Sequence, residues 1–461
     1  MTTRRTAVVV VGVVTLLSGV LRFAGLSAPH EKVFDEVYYA SDACWYAGHD
    51  FADCGLDADV ERSWVHPPLG KQIIAVGIDV FGNRPFGWRF MAAVAGTAIV
   101  ALVGVLAFLL FGSALWAGVG ALLASTEHLL FVQSRIAMLD VFLALFVVLG
   151  FVFLALDRRR EALEVPPEEP VAEPDDEETL GGLHEPPPAE PPRRWIRPLH
   201  LLAGASFGAA MAVKWSGYLA LLGGLALAAT WTIRRISERR ARRLEFGGLA
   251  LAFLAVPFAV YALPWIPWLA ERSFDIAELL GHHEDMWAYH ITLETLQENG
   301  EPIHPYMSRA WSWLLLLRPV AYHWQGDPDC CREIIGMGNP FVFWTALLVI
   351  PYLALTWLHR RDWRAGLVLV PILAQFLPWL AVSRPLFLFY MTPVAPFLAL
   401  GLVFPIRDLA GARIPGALAV AAAAVVVLVS VGMFVFFFPV LTAAHISYAG
   451  WQSRMWLGGW V

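Results

Sequence analysis

The stretch from Gly87 to Phe111 reads GWRFMAAVAGTAIVALVGVLAFLLF. After Arg89 it runs to Phe111 without a charge. An α-helix rises 1.5 Å per residue, so about 20 apolar residues cover the ~30 Å of hydrocarbon in a bilayer. Trp88 and Arg89 sit at one end, where interface anchors belong. Working outward from this stretch, ten more of the same kind appear. The eleven predicted spans are 7–26, 87–111, 114–132, 136–156, 199–213, 215–233, 246–268, 340–357, 365–382, 385–405 and 415–438. Bulk composition agrees: the chain is 58% hydrophobic and only 16% charged, where soluble domains run at about a quarter charged. The fold class is therefore an all-α polytopic membrane protein. The first span follows Arg4-Arg5 and has no small-residue cleavage motif, so it reads as a retained signal anchor.

Arginine placement orients the chain. Clusters stand at 158–160, 193–194, 234–243, 360–364 and at Arg407 with Arg413. Eleven crossings put all of them on the side of the N-terminus, which the positive-inside rule makes cytoplasmic, with the C-terminus outside. Net charge is −6, but residues 161–192 alone hold 11 acids and no Lys or Arg; without those acids the balance becomes +5. Bulk charge therefore says little about partners, and no basic patch interleaved with aromatics points to nucleic acid. The acidic, proline-rich stretch 157–197 is expected to be a disordered cytoplasmic spacer. Two long loops, 26–86 and 270–339, fall outside. They carry all four cysteines: Cys44, Cys54, Cys330 and Cys331. An exported compartment permits disulfides; Cys44–Cys54 closes the short loop, and a bridge between the two loops is the alternative. No metal-ligand spacing is visible. Asp57-Ala58-Asp59 has the form of an Asp-x-Asp metal motif, but chance accounts for it among 39 acidic residues.

The outer face also collects the informative polar residues. Asp35 and Glu36 are adjacent, so in a helix or a strand they diverge, and only one of them addresses a reacting hydroxyl. His66-Pro67-Pro68 forces an extended entry to a short apolar stretch that begins at Lys71. Arg89, Arg135, Asp140, Lys214 and Arg384 lie near the outer ends of spans. Each alone reads as well as an ion pair or a snorkelling side chain, and Asp140, the deepest, leans structural. As a set they suit a lipid-linked sugar: cations hold a phosphate and stabilise it as a leaving group, while a carboxylate takes the proton of an attacking hydroxyl.

The runs Phe34-Asp35-Glu36-Val37-Tyr38-Tyr39, His66-Pro67-Pro68-Leu69-Gly70-Lys71, Gly87-Trp88-Arg89-Phe90, Arg135 to Asp140, Lys214-Trp215-Ser216-Gly217, Trp311 to Pro319, Gly338-Asn339-Pro340, Trp363 and Arg384 to Pro396 resemble the protein O-mannosyltransferase family in order and topology. The resemblance covers nearly the whole chain outside the acidic stretch. It implies one transmembrane domain over residues 1–461 with the C-type membrane glycosyltransferase fold and its chemistry on the outer face. It implies a polyprenyl phosphate mannose donor, an inverting single displacement, and Ser/Thr acceptors on polypeptides emerging near the Sec translocon. No cofactor or metal is expected. By the same resemblance Asp35 is the general base and Glu36 helps hold acceptor or sugar. Arg89 binds the donor phosphate, with Lys71 and His66 lining the cavity and Arg135, Lys214 and Arg384 as further substrate contacts. Eukaryotic relatives insert a β-trefoil MIR domain into the loop after the seventh span. Here that loop is too short and reads as helical segments around 304–306 and 311–313, which points to the bacterial branch. Two rivals are a C-type enzyme moving another sugar, such as arabinose or aminoarabinose, to a lipid or glycan, and a secondary transporter, which predicts internal repeats and broken helices.

Overall fold

The computed structural model describes residues 2–56, 65–164, 195–235, 239–297, 300–327, 330–411 and 416–461. Asp57-Ala58-Asp59 and most of the acidic stretch lie outside them. Among the described residues seven helices are long and apolar enough to cross a membrane: Thr3–Phe23, Pro85–Phe111, Asp140–Glu161, Arg243–Glu271, Pro340–Arg360, Trp363–Ala381 and Val420–Leu441. Three shorter apolar helices, Ala114–Ser125, Pro198–Val213 and Gly217–Ile233, fall where further spans were expected.

Two expected spans are not continuous helices. The span 114–132 breaks after Ser125 and resumes at His128. The cause is Glu127, whose Oε2 accepts the Leu130 N–H at 2.7 Å and starts a new helix, while Oε1 accepts the Asn339 N–H at 2.9 Å. Asn339 Nδ2 in turn donates to the carbonyls of Thr126 and Ser430 at 3.0 and 3.1 Å. Non-helical backbone at this depth is tolerated because protein groups satisfy it. The expected span 385–405 opens as the 3-10 turn Leu388–Met391 and becomes helical only at Ala395. Broken helices are thus present in this chain, although the sequence reading expects them of a transporter.

Helices approach closely where the sequence permits it. Gly204 and Gly208 face the backbone of Ala252 and Pro257, and a Cβ at either position would collide with it. This is the small-residue spacing that lets membrane helices touch.

The two long loops, 26–86 and 270–339, carry helices of their own. Loop 26–86 contains the helices Glu36–Tyr46, Phe51–Cys54 and Leu69–Phe81, and a Cys44–Cys54 disulfide ties the first to the second. The second loop departs from expectation. Residues 304–306 form a bend and turn, Ala310–Ser312 is one 3-10 turn, and the rest is a helix, Ile276–Thr292, and an antiparallel pair, Val320–Asp327 with Cys330–Gly336. Val320, Tyr322, Ile334 and Ile335 are buried and carry the β-branched and aromatic preference of strands. The C-terminal segment adds to this pair through two backbone bonds between Cys331 and Ile446, and Trp451 Nε1 donates to Glu333 at 2.6 Å.

Candidate active site

Asp35 caps the helix Glu36–Tyr46, directly after Phe34, which takes a left-handed φ of 49°. This turn sends the two neighbouring acids in different directions. Glu36 points inward and is fully buried. Its carboxylate accepts Arg89 Nε and Nη2 at 2.8 Å each, the Val33 N–H at 2.9 Å and the Ala137 N–H at 2.8 Å. Arg89 spends its other N–H groups on the carbonyls of Leu26, Pro29 and Glu31, at 3.2, 2.7 and 3.0 Å. A guanidinium has five N–H donors, and all are engaged inside the protein. The expectation that Arg89 binds the donor phosphate is therefore corrected. Arg89 and Glu36 form a closed clamp that fastens the start of the outer loop to the turn at Ala137. Glu36 does not reach into open space to hold acceptor or sugar.

Arg135 is turned to the backbone of the first helix. Its guanidinium donates to the carbonyls of Leu21, Arg22 and Ala24 at 2.7–2.9 Å and to that of Gly25 at 3.4 Å. These are the orphan carbonyls at the end of the first helix, so Arg135 is a C-terminal cap.

The remaining candidates converge. Asp35 is half-buried, and Tyr39 donates to its Oδ2 at 3.2 Å. The Tyr39 ring lies 6.1 Å from that of His66, and His66 stacks on His290 at 5.7 Å. His290 Nε2 reaches the Val65 carbonyl at 3.0 Å, so its Nδ1 is the lone pair that accepts from Arg384 Nη1 at 2.8 Å. Arg384 lies over the Tyr390 ring at 5.9 Å, and Lys214 Nζ lies over the same ring at 4.6 Å. Lys214 also meets both oxygens of Asp140 at 3.0 Å. Its positive charge also acts on the Asp35 carboxyl, at the start of this series of contacts. Lys71 stands beside this series, paired with Asp42 at 3.2 Å, and both are buried. Thus His66, Lys71, Lys214 and Arg384 gather near Asp35, whereas Glu36, Arg89 and Arg135 support from behind. Asp140 anchors Lys214, in line with its structural reading.

Electrostatics separate the roles. Burial pushes the Asp35 carboxyl up to about 6, with Lys214 opposing the rise. Burial, with Lys214, His290, Lys71 and Arg384 around it, holds His66 well below the usual imidazole range. Burial and Arg384 bring His290 down to about 4. Near pH 7 both histidines are neutral and serve as hydrogen-bonding groups. Asp35 is ionised and more basic than an ordinary carboxylate. Sequence reading missed His290 and Asp42. His283 and His290 are seven residues apart on the helix Ile276–Thr292 and so share one face; that spacing was the available signal.

A family model for the "C-terminal four TMM region of protein-O-mannosyltransferase" matches residues 276–460, and one for "Dolichyl-phosphate-mannose-protein mannosyltransferase" matches residues 80–162. A "Polyprenol-phosphate-mannose--protein mannosyltransferase" of Mycolicibacterium smegmatis (strain MKD8) is 32% identical over 97% of this chain and 92% of its own. The chain belongs to the protein O-mannosyltransferase family. The fold agrees with that membership. The S. cerevisiae protein O-mannosyltransferase Pmt1-Pmt2 complex bound to the sugar donor superposes with a TM-score of 0.77 at 14% identity, covering 99% of this chain and 92% of that one. ArnT from Cupriavidus metallidurans bound to undecaprenyl phosphate gives 0.55 at 17% identity, over 94% and 76%. This family member therefore has the C-type membrane glycosyltransferase fold.

Proposed function

We infer that this chain transfers mannose from polyprenyl phosphate mannose to Ser or Thr hydroxyls of exported polypeptides. Family membership supports the activity. The observation that carries the site is Asp35, a half-buried carboxylate beside Lys214 and next to a row of neutral histidines that ends at Arg384. In the reaction the acceptor oxygen attacks the anomeric carbon and the bond to the phosphate oxygen breaks. Asp35 takes the hydroxyl proton, and the phosphate leaves with the bonding electrons, so the configuration inverts. Phosphate is a good leaving group and needs developing charge stabilised more than it needs a proton. Arg384 is the first choice for that phosphate: it is half-buried and its hydrogen-bond partners are His290 and Tyr390 and not a carboxylate. Lys71 and Lys214 add positive potential while their carboxylates anchor them. His66 is placed to hydrogen-bond the sugar.

The same reading places the N-terminus in the cytoplasm, eleven crossings within one membrane domain, the C-terminus and the site outside, and the acceptor near the Sec translocon as it emerges. The mechanism calls on protein cations, so EDTA leaves it intact. The test is transfer from labelled polyprenyl phosphate mannose to a Thr/Pro-rich peptide by membranes containing the protein, with and without EDTA. Labelled peptide in both arms is the expected result. A label that appears only in lipid or glycan overturns the acceptor, and loss with EDTA that a divalent cation restores overturns metal independence.

A further inference from the structure

Two cavities meet at the end of the helix Pro85–Phe111 that lies away from Asp35. One is an apolar groove of about 1060 Å³ between that helix and Thr2–Phe23, with Val8, Gly12, Leu16 and Val105 in its walls. The other is a basin of about 570 Å³ whose charged walls are Arg159, Arg360, Asp362, Arg364, Arg407 and Asp408. Leu109 and Arg159 line both, so the groove opens into the basin. Arg89, in the clamp under Asp35, is twenty residues from Leu109 along one helix. That is ~30 Å of rise, one hydrocarbon thickness. The basin therefore belongs to the opposite membrane surface and is separate from the catalytic constellation.

The arginines have structural work. Arg159 Nη1 donates to the Phe108 and Leu109 carbonyls at 3.0 and 3.2 Å, and Arg364 chelates Asp362 through Nε and Nη2 at 2.8 and 2.7 Å. Asp408 takes Arg360 at 2.7 Å, Arg407 at 3.2 Å and the Tyr352 hydroxyl at 2.6 Å. Capping and pairing leave a surplus of positive charge: among the described walls of the basin four guanidiniums face two carboxylates. A plain positive-inside cluster requires no groove. Here positive charge sits at the mouth of an apolar channel whose wall residue Leu16 is 69% exposed. That pairing matches one chemistry, an anionic head joined to a hydrocarbon chain.

We propose that the basin and groove together bind an anionic phospholipid, with its phosphate among Arg159, Arg360 and Arg407 and one acyl chain along the groove. Native mass spectrometry of the full-length protein in mild detergent tests this with phosphatidylglycerol, phosphatidylcholine of the same chains, and inorganic phosphate as probes. Phosphatidylglycerol is expected to be retained over phosphatidylcholine. The Arg360→Gln/Arg407→Gln variant is expected to lose about fivefold in phosphatidylglycerol affinity per charge removed. Leu16→Trp, which fills the groove and leaves the basin intact, is expected to weaken it as well. Equal retention of the two lipids overturns the proposal. So does an Arg double variant that binds like the parent, or competition by inorganic phosphate with no effect of Leu16→Trp, which would mark a site for a free anion.

Discussion

Asp35 and Glu36 are neighbours in sequence and opposites in chemistry. One left-handed residue, Phe34, precedes the turn that takes Glu36 into the protein and leaves Asp35 only half-buried. Because burial raises the Asp35 carboxyl to about 6, transfer should fall about tenfold per pH unit below pH 6 and level off above it, since only the ionised form accepts a proton. A pH–rate profile that stays flat down to pH 4.5 would remove Asp35 as the base. The same rise has a stability sign. The folded state holds this proton more tightly than the unfolded chain, so ionised Asp35 is a stability cost that appears as pH climbs from about 4 and is complete above about 6. The two arginines differ in kind. Arg89→Ala strands a buried Glu36 carboxylate and should cost roughly 3–5 kcal/mol of stability, read as a lowered Tm. Arg384→Gln should leave Tm near the parent value and weaken donor binding, measured by titration with polyprenyl phosphate mannose. If Arg89→Ala kept the parent Tm and lost only donor affinity, the clamp assignment would be wrong.

At the scale of elements, the legible features were those written in local pattern. The span Gly87–Phe111 announces itself by length and apolarity, and the helix found there is Pro85–Phe111. The choice of Cys44–Cys54 rested on loop length, and the bridge is present. Reducing it, or replacing both cysteines by serine, should lower stability by about 2–3 kcal/mol, a magnitude set by the short loop it closes. Mass mapping of unreduced peptides checks the link itself. The β-pair in the second long loop was not legible because an isolated two-stranded pair carries too short an alternating pattern to stand out beside His304, Pro305 and the tryptophans. The broken span at Glu127 was not read because its cause lies far along the chain: Asn339 reaches across to the Thr126 carbonyl and the Glu127 carboxylate. For the same reason the sequence could nominate Arg89 and Arg135 as isolated charges but could not reveal that Glu36 and backbone carbonyls hold the first and backbone carbonyls the second. A side chain's partners are tertiary facts.

Across the whole molecule, the membrane divides the work. The two long loops and the segment at Arg384 bring Asp35, His66, His290 and Arg384 together from four separate stretches. The opposite surface collects arginines around Asp362 and Asp408. The acidic stretch 157–197 joins helices whose ends lie on this arginine-rich side, so an engineered cysteine at Glu177 should resist an impermeant thiol reagent added to intact cells. A cysteine at Glu301, in the second long loop, should label. The reverse pattern would invert the topology and with it the proposed exported acceptor.

The most direct test of the central claim is mannosyl transfer by purified Asp35→Asn protein. The substitution keeps size and removes the proton acceptor. By the stability sign above, it should fold at least as well as the parent at pH 7. Measured with saturating polyprenyl phosphate mannose and a Thr/Pro-rich peptide, kcat should fall by about 10²–10⁴, or roughly 3–5 kcal/mol on the barrier, while donor affinity stays within about threefold. Near-parental kcat in folded protein would contradict the account and require a base other than Asp35.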